Sequence, residues 1–171
     1  KKLFHKKKLD RDMKLLVLRE QGVGDEILYG TMYRDLLDSC ENVTIECDQR
    51  LKNIFVNSMP KYKKSFVNEG EISLKQNLIN RYDFALYAGS LGKFFRNKIE
   101  DFNNDPFLSA DKNLIIKTKK HLRDLEGKIN IGLSWKSFKN RYASEKSLVL
   151  EDLKEILSTK NCNFINLQYG E

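Results

Sequence analysis

Between residues 21 and 26 the chain reads Gln21-Gly22-Val23-Gly24-Asp25-Glu26, and it lies between an apolar strand-like run and a helix-like one. Two glycines let a backbone turn tightly and come close to a ligand. The free N–H groups at a helix start can then hold an anionic or hydroxyl-rich group. Asp25 has two readings. It can cap the helix, or it can stand as a carboxylate at a ligand-facing sheet end and accept a proton from a hydroxyl nucleophile. A dinucleotide fingerprint would need a third small residue where the chain has Ile27, so that fingerprint is incomplete. Glu46 closes the next strand-like run, where a ribose-binding carboxylate would sit; the incomplete fingerprint favours an exposed strand-end residue instead.

Two other turns repeat the design. Gly89-Ser90-Leu91-Gly92 follows a strand-like run and is either an ordinary strand-to-helix turn or a second ligand loop. Ser134-Trp135-Lys136 leaves another such run just before Lys139, Arg141 and Lys146. Trp135 is core packing or a platform for a sugar ring, and the basic loop is a solvated surface or a clamp on phosphate. Ser134 has no evident His partner for a triad. His121 lies among Lys119, Lys120 and Arg123 and reads as part of a solvated face. Cys47 reads as a core residue.

The elements that position these loops alternate. Strands are predicted over 13–19, 43–47, 65–67, 82–88, 128–135 and 163–167. Helices are predicted over 27–37, over 49–59 behind an Asp48 cap and ahead of Pro60, and over 91–96, 109–126 and 150–158. The run Leu15-Leu16-Val17-Leu18 is continuous rather than alternating, as expected for a strand covered on both faces. This order predicts an α/β fold with one doubly wound, mainly parallel, Rossmann-like sheet of about six strands. Ligands of such sheets bind beyond the carboxyl ends of the strands, which is where all three loops fall.

Composition narrows the function classes. The formal net charge is +7 over 171 residues. Residues 1 to 14 hold seven basic groups against Asp10 and Asp12, a local +5 that leaves +2 on the rest. The basicity belongs to a lead-in over 1–12, not to a nucleic-acid-binding face. Cys40, Cys47 and Cys162 form no CxxC pair, and His5 and His121 are far apart, so no metal site is expected. The thiols read as reduced and the compartment as cytoplasmic. The N-terminal apolar run is too short for a signal peptide or a membrane span.

At these same places the sequence resembles a known family. The run Leu18-Arg19-Glu20-Gln21-Gly22-Val23-Gly24-Asp25-Glu26-Ile27-Leu28 resembles the start of the glycosyltransferase-like region of bacterial tetratricopeptide-repeat proteins, related to the family 9 heptosyltransferases. The resemblance continues through Ile45-Glu46-Cys47-Asp48-Gln49-Arg50-Leu51, Gly89-Ser90-Leu91, Ile131-Gly132-Leu133-Ser134-Trp135-Lys136 and Asn166-Leu167-Gln168-Tyr169-Gly170-Glu171. It implies the amino-terminal, acceptor-side half of a GT-B fold over 13–171, with the donor domain absent. It implies metal-independent, inverting transfer from a nucleotide sugar to a carbohydrate or glycan hydroxyl, with no resident cofactor. Asp25 matches the position of the family's candidate base. Gln21, Gly22, Gly24, Glu26, Gly89, Ser90, Trp135, Lys136 and Arg141 are the expected substrate contacts. The alternatives are an NAD- or nucleotide-binding oxidoreductase domain, resting on Gly22, Gly24 and Glu46, and a non-catalytic module attached through its basic flank.

Overall fold

The computed structural model describes residues 3–4, 8–102, 105–125, 128–137 and 144–168. The chain divides into two compact units, Lys1–Lys112 and Asn113–Glu171.

The first unit is built on β1 (Lys14–Leu18). It is followed by α1 (Val23–Gly30), α2 (Tyr33–Ser39), β2 (Asn42–Cys47), α3 (Gln49–Ser58), β3 (Phe66–Asn68), α4 (Gln76–Ile79), β4 (Phe84–Tyr87) and α5 (Gly92–Phe95). The four strands form one sheet in the order β3-β2-β1-β4, and every pairing is parallel. Leu15 lies opposite Val43 on one side and Phe84 on the other. β1 is therefore a central strand, and its unbroken apolar run is explained by cover on both faces. Leu15 and Val17 pack with Tyr33, Leu36, Phe55 and Phe66. Leu16 and Leu18 turn to the opposite face and pack with Ala85, Ile72, Ile79 and Tyr82. The chain passes from β3 at one edge to β4 beside β1, so the strand order reverses between β1 and β4.

The single helix predicted over 27–37 is two helices. α1 begins at Val23, and the break falls at Thr31-Met32, where the Thr31 hydroxyl donates to the Leu28 carbonyl at 2.7 Å. Met32 and Leu36 are buried as the stripe requires, but Leu28 is exposed. Gly30 is the last residue of α1, and the space beside it is taken. A Cβ there would lie 2.9 Å from the Phe55 ring and 3.3 Å from that of Phe107. Asp48 caps α3 as expected, accepting from the Arg50 amide at 2.9 Å.

The lead-in is not wholly a solvated flank. Leu3 bridges to Ala85, and the Phe4 amide donates to the Ala85 carbonyl at 2.9 Å. The Phe4 ring meets Phe84 and Phe94 edge-on at 5.4 and 5.6 Å. Residues 3 and 4 thereby lie along the outer side of β4.

The second unit contains most of α6 (Lys112–His121), then β5 (Ile129–Leu133), α7 (Lys154–Leu157) and β6 (Cys162–Asn166). α6 is shorter than the predicted 109–126 and is followed by a 3₁₀ turn at Arg123–Leu125. β5 and β6 pair in parallel along all five residues of each. The expected single sheet of about six strands is thus corrected. All six strands form, but four make one sheet and two make another. Among the described residues, β5 and β6 find their ladder partners only in each other.

Gly30→Ala forces the Phe55 and Phe107 rings to yield in a packed core. It should cost about 1–3 kcal/mol, read as a lowered urea midpoint with an unchanged slope.

Candidate functional site at the carboxyl end of the sheet

β1 runs out into Arg19-Glu20-Gln21-Gly22. Gln21 takes a left-handed backbone conformation, φ 63°, which a non-glycine residue adopts only at a cost. The turn sets Gly22 as the residue preceding α1, with extended φ −89° and ψ 173°. Asp25 is therefore not the cap itself. It sits in the first turn, and its Oδ2 accepts the Gly22 N–H at 3.1 Å. Among the described residues its Oδ1 makes no hydrogen bond, and the side chain is exposed. Gln21 and Gly24 are exposed beside it, and Gly22 is half-buried.

The loop after β4 joins this place. Glu20 Oε1 accepts the Gly89 N–H at 2.8 Å, linking the turns that follow the neighbouring strands β1 and β4. Gly89 must be glycine for this approach. A Cβ there would fall 2.6 Å from Glu20 Oε1 and 3.1 Å from the Tyr29 ring. Ser90 follows in a 3₁₀ turn and is half-buried. Gln21, Gly22, Gly24, Asp25, Gly89 and Ser90 thus gather at the point where the strand order reverses, the usual ligand-binding position of such sheets.

Beneath this surface lies an ion-pair cluster that the sequence reading did not assign. Glu26 is fully buried. Its Oε2 accepts from Arg19 Nε at 2.8 Å and its Oε1 accepts the Asp48 N–H at 2.9 Å. Arg19 also donates to Glu69 at 2.6 Å and to the Gln21 carbonyl at 3.2 Å, and lies 3.6 Å from Asp48. Both Glu26 oxygens are engaged by the protein, so Glu26 holds the loop instead of facing a ligand. Burial raises the Glu26 pKa, opposed by the Asp48 amide and Arg19. Burial pulls Arg19 down, but its bonds to Glu69 and Glu26 outweigh that and leave it raised. The Tyr33 hydroxyl is buried without a partner among the described residues. Burial first, and then the Glu26 charge, push its pKa up. Burial likewise pushes the Cys47 thiol up to about 12, which suits a core residue.

Glu46 is not an exposed strand-end residue. It is 2% exposed, and its Oε1 accepts the amides of Ile72 and Ser73 at 2.8 and 2.7 Å. A loop remote in sequence buries it. The sequence signals that bear on the cluster are two. Arg19 and Glu26 lie on either side of the turn from β1 into α1, and an acid directly follows both β2 and β3, at Asp48 and Glu69.

Trp135 and Lys136 belong to the second unit. They follow β5 and are held by Gln168, which follows β6. Arg141 and Lys139 lie outside the described residues. Among the described residues no group of three or more His, Cys, Asp or Glu could hold a metal ion, and no helix is long and apolar enough to cross a membrane.

No protein-family model matches the chain, and no solved structure matches it. Over 173 aligned residues it is 27% identical to Protein FlbA of Caulobacter vibrioides. The alignment covers 94% of this chain and 29% of that protein, so the chain spans less than a third of the relative's length.

The hydrogen bonds from Arg50 hold the Asp48 carboxyl well below its ordinary value of 3.8, with burial opposing and Arg19 adding to the shift. A lowered carboxylate pKa stabilises the fold above the unfolded value, and that contribution fades as pH falls towards the folded one. Asp48→Asn keeps an acceptor for the cap but loses the charge. The urea-midpoint gap between wild type and Asp48→Asn should be full near pH 7, begin to narrow only below about pH 4, and go on narrowing as pH falls towards the folded value. A gap independent of pH would assign the effect to the cap alone.

Proposed function

We propose that the first unit is the acceptor side of an inverting, metal-independent sugar transferase of Rossmann-like, GT-B type, with Asp25 as the base. The observation that carries this is the open Oδ1 of an exposed Asp25 at the strand-order reversal, with Oδ2 tethered by the Gly22 amide. One oxygen fixes the carboxylate and the other is available to a hydroxyl. The resemblance across residues 18–28 supplies the reaction class.

In this reading an acceptor hydroxyl donates its hydrogen bond to Asp25 Oδ1. As the hydroxyl oxygen attacks the anomeric carbon, its proton passes to Asp25. The bond from that carbon to the diphosphate oxygen breaks with its electron pair leaving on the nucleotide, and the configuration inverts. The exposed Gln21 side chain and the half-buried Gly22, Gly89 and Ser90 line the approach. Glu20 and Glu26 keep the two loops in place. Taken by itself, the second unit carries the loop after β5, and we read its Trp135 and Lys136 as a contact for a nucleotide sugar. The dinucleotide alternative draws less support, because the Glu46 oxygen that would serve a ribose accepts two backbone amides instead.

The test is release of nucleotide from a panel of nucleotide sugars by the full-length protein. Asp25→Asn keeps an acceptor for the Gly22 amide but cannot take a proton. It should lower kcat/KM by about 10²–10⁴-fold, the usual worth of a general base, with far-UV circular dichroism and Tm unchanged. Turnover within about threefold of wild type would remove Asp25 from that role.

A further inference from the structure

Gln168 lies two residues beyond β6 and crosses to the loop that follows β5. Its Oε1 accepts three donors from that loop: the Lys136 amide at 2.8 Å, the Trp135 amide at 3.0 Å and the Ser134 hydroxyl at 3.3 Å. Its Nε2 donates back to the Lys136 carbonyl at 3.1 Å. Its own amide donates to Asn166 Oδ1 at 2.8 Å, which fixes the turn from which the side chain reaches. A single primary amide therefore satisfies successive backbone groups of a strand-end loop, both donors and acceptor. The neighbouring contacts are the Leu167 amide to the Leu133 carbonyl and the Leu148 amide to the Trp135 carbonyl, each 2.9 Å. Gln168 thus sets the course of residues 134–136 where they leave the strand.

We infer that Gln168 is a positioning residue. By ordering Ser134-Trp135-Lys136 it presents the Trp135 ring and the Lys136 ammonium to a nucleotide diphosphate sugar. This rests on the donor reading of the β5 loop given above, and it assigns a role to a residue outside the loop. The chemistry fits that ligand class. A half-buried indole offers a face for a base or sugar ring, and an exposed ammonium offers a point charge for a diphosphate. Both are useful only if the backbone between them is held, since ordering a loose loop on binding takes free energy from affinity.

Trp135 is the chain's single tryptophan, so its fluorescence reports on this loop alone. UDP-glucose, GDP-mannose and, for comparison, NAD are titrated into the 171-residue chain while that fluorescence is followed. Hydrogen exchange is read at the Trp135 and Lys136 amides. Gln168→Met keeps the side-chain length but removes the side-chain hydrogen bonds. It should speed exchange at both amides by about tenfold or more and raise the Kd of a nucleotide sugar by about tenfold. Protection in the β5 ladder should stay unchanged. Gln168→Glu retains an acceptor oxygen for both amides and should keep their exchange within about threefold of wild type. Unchanged exchange in Gln168→Met would overturn the positioning role. Equal or tighter nucleotide-sugar binding in that variant would do the same. A wild-type signal that no nucleotide sugar perturbs would overturn the ligand class. Failure of Asp25→Asn to slow transfer would leave saturable, Gln168-dependent binding standing, so the two readings fail separately.

Discussion

A carboxylate with no exposure to solvent can stay in a folded protein only if something else solvates it, and Glu26 is in that position. Its two oxygens are met by one guanidinium and one backbone amide, from Arg19 and Asp48. Removing one partner from a buried pair typically costs about 3–5 kcal/mol, because the other charge is left uncompensated. The pair therefore fixes geometry more than it adds stability. Arg19 leaves β1, Glu26 sits in α1 and Asp48 opens α3, so the connections after β1 and after β2 are pinned together at one end of the sheet. Arg19 also holds Glu69 beyond β3. The carboxyl ends of three adjacent strands are joined through one side chain.

The exposure of Asp25 follows from the burial of Glu26. Consecutive residues on a helix point about 100° apart, so a first turn that buries residue 26 turns residue 25 outward. Gly22 reinforces this, since its amide takes one Asp25 oxygen and leaves the other open. Adjacent acids in one turn thus acquire opposite tasks. One is desolvated and paired, and the other stays in water. Glu20 extends the scheme sideways to the loop after β4. Three acids within seven residues shape this end of the sheet, and one of them, Asp25, keeps an exposed side chain.

Local features of the chain were legible because they depend on local causes. The run Leu15–Leu18 could only be a strand covered twice, and the structure covers it twice. Asp48 before an amphipathic stretch could be read as a cap, and it is one. What could not be read depends on partners distant in sequence. Periodicity shows that β5 and β6 are strands but not which strand each pairs with, so six strands were placed in one sheet. Glu46 is buried by amides at Ile72 and Ser73, and nothing within its own strand announces that. Position 30 is kept free of a side chain by the Phe55 and Phe107 rings, which lie far from it in sequence. The tight turn at Gln21-Gly22 ahead of a helix was legible, while the Arg19–Glu26 pair beneath it was not.

The two sheets also differ in what holds their strand-end loops. In the first unit the loop rests on a core, with β1 almost wholly buried. In the second, β5 alternates between exposed and half-buried positions, and Ile129 is 67% exposed. A two-stranded ladder of this kind lends little rigidity to the residues that leave it. A polar crosslink can supply what packing does not, since each hydrogen bond it makes replaces a solvated backbone group with a fixed partner. Gln168 makes such a crosslink, from the end of one strand to the loop of the other. A loop anchored this way takes its order from polar crosslinks, the Gln168 amide first and the Leu148 amide on the Trp135 carbonyl beside it, more than from the hydrophobic content of the strands.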